Sequence, residues 1–333
     1  MQAAQLIKYD KNFKLELKDI PVPVPNADEV LVKVNAAAVN PLEMLIGTGS
    51  VKLIQNYDIP VTLGNELSGI VTAVGKNVHD FEIGDEVYAR LPLNKIGAFA
   101  EYAVIDSKAI ALKPKNLDFV TSAAVPLTGL TAYQGLTEEL HAKAGESVMI
   151  PGGSGSFGQM AIPLAKQMGM KVFVSGNAAS RQSAIDMGVD QYFDYRKENY
   201  WEKLKSVDYV IDTIGKKEFQ HELSIIKPGG KILSLIMGPN KLFATDRNFA
   251  FFKTCLFSIA GKKIDKQAKA VGAEYHFIFV RSDGEQLGEI TKIVEQHDIE
   301  PAIDPTEFKL NDINEALELV KNGRPKGKVI IRF

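Results

Sequence analysis

The stretch PGGSGSFGQM (151–160) concentrates residues that could do chemistry on a phosphate. It follows the apolar run ESVMI and leads into a helical pattern. Its glycines, Gly152, Gly153, Gly155 and Gly158, fit GxGxxG from 153 and GxxGxxG from 152. Glycines there allow a tight turn at positive φ and let a pyrophosphate approach the backbone with no Cβ in the way. The helix start beyond offers unpaired N–H groups to the anion. There is no GK[ST] for an ATP loop, and Gly152 to Ser156 ends in serine, so it is not a GxSxG elbow.

A second stretch, VSGNAASR (174–181), leaves the next predicted strand, KVFVS. In NAD sites an acid at this place takes the ribose hydroxyls. Here the place holds Ser175, Gly176 and Asn177, and the next acid is Asp186. Small polar groups with Arg181 suit a 2′-phosphate, which an acid would repel. The loop therefore predicts NADP(H) over NAD; a solvated surface arginine is the alternative. Tyr195, at the end of the third strand, either packs on the adenine or is a half-buried core tyrosine. Ile214 and Gly215 after the fourth strand, and Leu235, Ile236 and Met237 at the end of the fifth, fall where the nicotinamide half should lie.

These loops need a parallel sheet to hold them. KVFVS (171–175), QYFDY (191–195), VDYVIDT (207–213) and KILSLI (231–236) alternate with helical segments, which predicts a doubly wound α/β domain. The first third, with EVLVKVNAAAV, ELSGIVTAVG, DEVYAR and AEYAVI, reads as β-rich. The closing GKVIIRF should pack back onto it. The predicted boundaries are 1–115 with 270–333 for the β-rich domain and 116–269 for the nucleotide domain.

Composition narrows the function classes. The 333 residues are 45% hydrophobic and 24% charged, with net charge -2. That mixture argues against a nucleic-acid surface. The single cysteine, Cys255, excludes internal disulfides and Cys-rich metal sites. No apolar run reaches the ~20 residues of a membrane span, and the start lacks a secretory apolar region, so a cytoplasmic protein with no membrane partner is expected.

LGNELSGIVTAVGKNVHDFEIGDEVYA (63–89), with AVNPLEMLIGTG (38–49), AAVPLTGLTAYQGL (123–136) and NGRPKGKVII, resembles the medium-chain dehydrogenase/reductase family over nearly the whole chain. The resemblance implies a GroES-like β domain with an inserted Rossmann domain and an active cleft between them. Zinc alcohol dehydrogenases of this family place a cysteine near Asn40, a histidine in a GHE triplet and a second cysteine near Leu127. This chain has Gly64-Asn65-Glu66 and keeps only Glu66 of that set. No metal site is expected.

What remains resembles the zinc-free quinone oxidoreductase branch, whose NP motif stands here as Asn40-Pro41-Leu42-Glu43. The resemblance implies that Asn40, Thr131 and Lys328 lie by the cofactor. It also implies that Ser156, Phe157 and Gly158 contact its pyrophosphate, and that Phe277, Ile278 and Phe279 line the nicotinamide region. A tyrosine that many relatives carry after the NP motif is Leu45 here, and no catalytic residue is assigned.

The expected activity is NADPH-dependent hydride transfer to a quinone without zinc. Reduction of an enal or enone, or a low-turnover NADPH-binding role, stays open. The family resemblance implies a homodimer. KILSLI could supply the subunit edge and FAFFKTCLFSIAG (249–261) an apolar interface. Alternatively, that second run is an internal helix under the sheet. Cys255, inside the run, is expected to be a small buried hydrophobe.

Overall fold

The computed structural model describes residues 1–323 and 325–333; Arg324, inside the NGRPKGKVII motif, lies outside the described residues. In chain order the strands are β1 (Gln2–Leu6), β2 (Glu16–Asp19), β3 (Glu29–Val39), β4 (Val61–Thr62), β5 (Glu66–Val74), β6 (Glu86–Arg90), β7 (Tyr102–Asp106) and β8 (Ile110–Leu112), then β9 (Ser147–Ile150), β10 (Lys171–Gly176), β11 (Gln191–Asp194), β12 (Val207–Asp212), β13 (Ile226–Ser234) and β14 (Glu274–Phe277), and last β15 (Phe308–Lys309) and β16 (Val329–Arg332).

Contacts divide the chain into two units, Met1–Leu130 with Arg281–Phe333, and Thr131–Val280. Both limits lie later in the chain than the sequence suggested. Residues 116–130 stay with the first unit, where Ser68 Oγ donates to the Phe119 carbonyl and the Leu127 N–H to Glu66. Residues 274–277 stay with the second, because β14 pairs in parallel with β13.

The first unit is organised by β3. Its alternation buries Val30, Val32 and Val34, as a half-buried strand requires. It pairs antiparallel with β5, β7 and β16, so the tail does close onto the N-terminal sheet. The register sets Val329 opposite Val39, which brings Lys328 to the level of Asn40. In the neighbouring pair, Glu66 of β5 lies opposite Arg90 of β6.

The second unit is a six-stranded sheet in the order β11-β10-β9-β12-β13-β14, every pairing parallel. Val148, Met149, Ile150, Val210, Ile211, Ile232 and Leu233 are buried in its central strands, the continuous apolar run of a sheet covered on both faces. The chain reverses direction across the sheet between β9 and β12, the switch point where open α/β sheets bind ligands. KILSLI contributes to β13, between β12 and β14, so it is no edge. The Phe-rich run forms most of the first half of a helix, Phe251–Ala270, and Cys255 is exposed rather than buried.

Candidate functional site

The glycine loop connects β9 to the helix Ser156–Gln167, with Gly155 at its N-cap. Each glycine answers a different need. Gly152 takes φ +69, and a Cβ there would meet Thr213 Oγ1 at 2.7 Å. At Gly158 a Cβ would land on the Gly153 carbonyl, so this glycine sets how closely the helix packs on the loop. Gly155 differs: its φ is -90, and the nearest atom to an added Cβ is 4.0 Å away. Nothing in the protein demands glycine there. A ligand lying on that backbone would. The N–H groups of Ser156, Phe157 and Gly158 have no intrahelical acceptor, as at any helix start, and aim positive dipole at the same place.

At the end of β10, Ser175 is buried and its Oγ accepts the Gly152 N–H at 3.3 Å. Asn177 caps a short turn by accepting the Ser180 N–H at 3.1 Å, while its backbone carbonyl takes the Tyr192 hydroxyl at 2.6 Å. Arg181 is half exposed, 3.8 Å from Glu198, and its guanidinium stands 5.8 Å from the Tyr192 ring centre. Tyr195 is exposed, and Arg196 donates to its hydroxyl at 3.3 Å. The region thus holds two arginines, not one. It also holds an acid, Glu198, which no local spacing signalled. Hydrogen bonding to Lys203 holds the Glu198 carboxyl below the usual glutamate range.

Two further loops are organised by one aspartate. Asp212 ends β12 and accepts the N–H groups of Ile214 and Gly215 at 2.9 and 2.6 Å. Its other oxygen accepts Ser234 Oγ at 2.7 Å. Ser234 Oγ in turn accepts the N–H groups of Ile236 and Met237. One buried pair therefore fixes both loops predicted for the nicotinamide half. The sequence reading missed Asp212 and Ser234, although Asp-Thr-Ile-Gly is an Asx-turn pattern. Leu235 is partly buried in the second loop, and Ile236 is exposed. Phe277, Ile278 and Phe279 are buried, Phe277 packing edge-on to Phe243. Thr131, in the helix Pro126–Gln134, is also buried.

The first unit holds a different constellation. Asn40 Nδ2 donates to Glu66 Oε1 at 2.9 Å, and Lys328 Nζ donates to Asn40 Oδ1 at 2.6 Å. Lys328 and Glu66 form a 2.8 Å ion pair, both side chains at most 5% exposed. The remaining Glu66 oxygen accepts the Leu127 N–H at 2.7 Å. Glu43 accepts the Asn40 N–H and Asn65 Nδ2; burial pushes its carboxyl up to about 7, against those hydrogen bonds. Arg90, fully buried, donates to the Leu91 carbonyl, and its Nε and Nη2 lack partners among the described residues. Burial lowers its pKa to about 10.

Two family models match the chain: an alcohol dehydrogenase GroES-like domain over residues 26–115 and a zinc-binding dehydrogenase over residues 187–331. A quinone oxidoreductase of Pongo abelii is 32% identical, over 70% of this chain and 72% of that protein. A chloroplastic NADPH-dependent alkenal/one oxidoreductase of Arabidopsis thaliana is 30% identical, over 96% of this chain and 75% of that protein. Among solved structures, the quinone oxidoreductase from Coxiella burnetii superposes with TM-score 0.82 at 27% identity, covering 100% of this chain and 99% of that one.

The zinc in one model's description finds no fit here. Asparagine amides and a leucine are poor ligands, and the Lys328 ammonium already sits between Asn40 and Glu66. A cation there opposes a second one. The glycine loop, by contrast, fits a dinucleotide: Gly155 leaves open the space a pyrophosphate would fill.

Proposed function

The chain belongs to the medium-chain dehydrogenase/reductase family, in its quinone oxidoreductase branch, and we propose that it is an NADPH-dependent reductase passing hydride to a quinone-type acceptor without zinc. It is an oxidoreductase using NADP(H); the acceptor is the inferred part. The observation that carries the reading is the open glycine loop beside the end of β10, where Ser175 and then Asn177 stand in place of an acid and Arg181 follows, 3.8 Å from Glu198.

When bound, NADPH supplies the hydride, and a quinone carries its own carbonyl electron sink. The protein's work is then binding and orientation. Gly152, Gly155 and Gly158, with the N–H groups of Ser156 and Phe157, hold the pyrophosphate. Ser175, Asn177 and Arg181 would hold the 2′-phosphate, with Glu198 at 3.8 Å as the present partner of Arg181, and Tyr195 would cover the adenine. Ile214, Gly215, Leu235, Ile236 and Met237, fixed through Asp212 and Ser234, border the nicotinamide half with Phe277, Ile278, Phe279 and Thr131. Asn40 and Lys328, which the family resemblance also sets by the cofactor, are bonded to one another and to Glu66. The reduced acceptor takes its protons from water.

The family's alkenal/one reductase member supports a second acceptor class, enals and enones, which share the same electron sink. Steady-state rates with a quinone and an enone of similar size decide between them. Fluorescence titration with NADPH and NADH tests the cofactor assignment. Arg181→Ala should weaken NADPH about tenfold, one charge-assisted contact, and leave NADH unchanged. Equal losses for both would sink the 2′-phosphate role.

A further inference from the structure

The helix Phe251–Ala270 carries a surface that hydride transfer does not explain. Its inner side packs through Phe257, Gly261 and Ala268, spaced three to four or seven apart as one helix face requires. Phe257 meets Phe243 and Phe249 there. The opposite side is exposed and apolar in its first half: Phe251 84%, Phe252 59%, Leu256 46% and Ile259 73%. These side chains span about 12 Å of helix. The same outward side continues as Lys262, Lys263, Lys266 and Lys269, all exposed. The helix's only acid, Asp265, is tied to Asn240 Nδ2 at 2.8 Å. In a chain of net charge -2 this face is therefore locally basic.

We infer that the outward face of the helix Phe251–Ala270 docks on an anionic lipid bilayer, with Phe251, Phe252, Leu256 and Ile259 entering the acyl boundary and the lysine row contacting headgroups. Exposed aromatic and aliphatic anchors beside uncompensated lysines are the two attractions that hold an interfacial helix. A second copy fits less well. Laid along itself in parallel, the face sets lysines against lysines; laid antiparallel, it sets lysines against phenylalanines. No acid on the helix's outward side answers them. The interaction is peripheral, since among the described residues no helix is long and apolar enough to cross a membrane.

The test is co-sedimentation of the full chain with phosphatidylcholine vesicles, with and without phosphatidylserine. The protein should pellet with the anionic vesicles and stay largely in solution with the neutral ones. Each Lys→Gln change at 262, 263, 266 or 269 should lower partitioning about fivefold. Phe251→Ser with Phe252→Ser and Ile259→Ser should abolish it. All substituted positions are exposed, so NADPH binding and thermal unfolding should match the parent and report an intact fold. The sole cysteine lies in the patch, so a polarity-sensitive label on Cys255 should shift to the blue on anionic vesicles. Protein that stays in solution with phosphatidylserine vesicles overturns the proposal. So does a dimer in sedimentation velocity that the serine variants dissociate without any vesicle binding, because the face then joins two copies.

Discussion

Beyond β3, an amide, a carboxylate and an ammonium close on one another. Beyond β9, glycines leave backbone donors beside open space. The Asn40–Glu66–Lys328 cluster is self-satisfied: the Lys328 ammonium answers Glu66, Asn40 bridges them, and the Leu127 N–H takes the last carboxylate oxygen. The loop at Gly155 is the reverse. No side chain fills it, no left-handed backbone requires glycine there, and the nearest atom to an added Cβ is 4.0 Å away. The contrast teaches a way to tell structural polar sites from binding sites. A structural site has its charges matched from within the chain, whereas a binding site shows residue choices that only an absent ligand explains.

The comparison breaks most visibly at Lys328. Lys328→Met removes the ammonium paired with buried Glu66, and removing one partner of such a pair costs about 3–5 kcal/mol. Denaturant unfolding should show a loss of that size. Adding Glu66→Gln should recover part of it, because the stranded charge goes too. A loss under about 1 kcal/mol would mean that water, not Lys328, satisfies Glu66.

Glu43 sharpens the same side of the comparison through pH. Its folded-state pKa is raised by burial to about 7 from an ordinary value of 4.5. A group with a raised folded pKa contributes fully below its unfolded pKa and loses that contribution as pH rises through the folded one. Stability should therefore fall by about 3 kcal/mol between about pH 4.5 and pH 7. Glu43→Gln removes the titrating group, and the decline should go with it. An unfolding profile equally steep in the variant would assign the slope to other groups.

What the sequence showed and hid follows the same division. The glycine loop was legible because its logic is local: a strand, a turn and a helix start within ten residues, 151–160. The parallel sheet itself was legible for the same reason, from apolar runs alternating with helices, though not the order of its strands. The Lys328–Asn40 bond joins residues 288 apart, and only the β3–β16 register brings them level. The resemblance placed both residues near a cofactor but said nothing of their bond. Glu198 escaped notice because it reaches Arg181 from beyond the next strand. Cys255 was read as buried from its apolar neighbours, yet those neighbours, Phe251, Phe252 and Ile259, are themselves exposed. Apolar composition signals that a face wants cover; it does not say that the same chain supplies it.

Within the glycine loop the effects become smaller and more selective. Gly158→Ala puts a methyl onto the Gly153 carbonyl. Helix and loop must separate, at a cost of about 1–3 kcal/mol by the usual measure of overpacking. Both thermal stability and NADPH binding should suffer, since the displaced helix start also carries the pyrophosphate donors. Unchanged stability in this variant would mean that the loop is slack, and the reading of a rigid cradle would fail.

Gly155→Ala is the most discriminating change and the gentlest to the fold. Its φ of -90 suits alanine, and the added methyl meets nothing closer than 4.0 Å. Stability should stay within about 0.5 kcal/mol of the parent, as for an unstrained exposed site. Affinity for NADPH should nevertheless drop about tenfold, near 1.4 kcal/mol, because the methyl occupies space the pyrophosphate needs. NADH should lose as much, since both cofactors share that group, so Gly155→Ala and Arg181→Ala separate the two phosphate contacts. If the variant binds both cofactors as the parent does, the space beside Gly155 is mere slack. The distinction between a loop shaped for a ligand and a cluster closed on itself would then lose its clearest support.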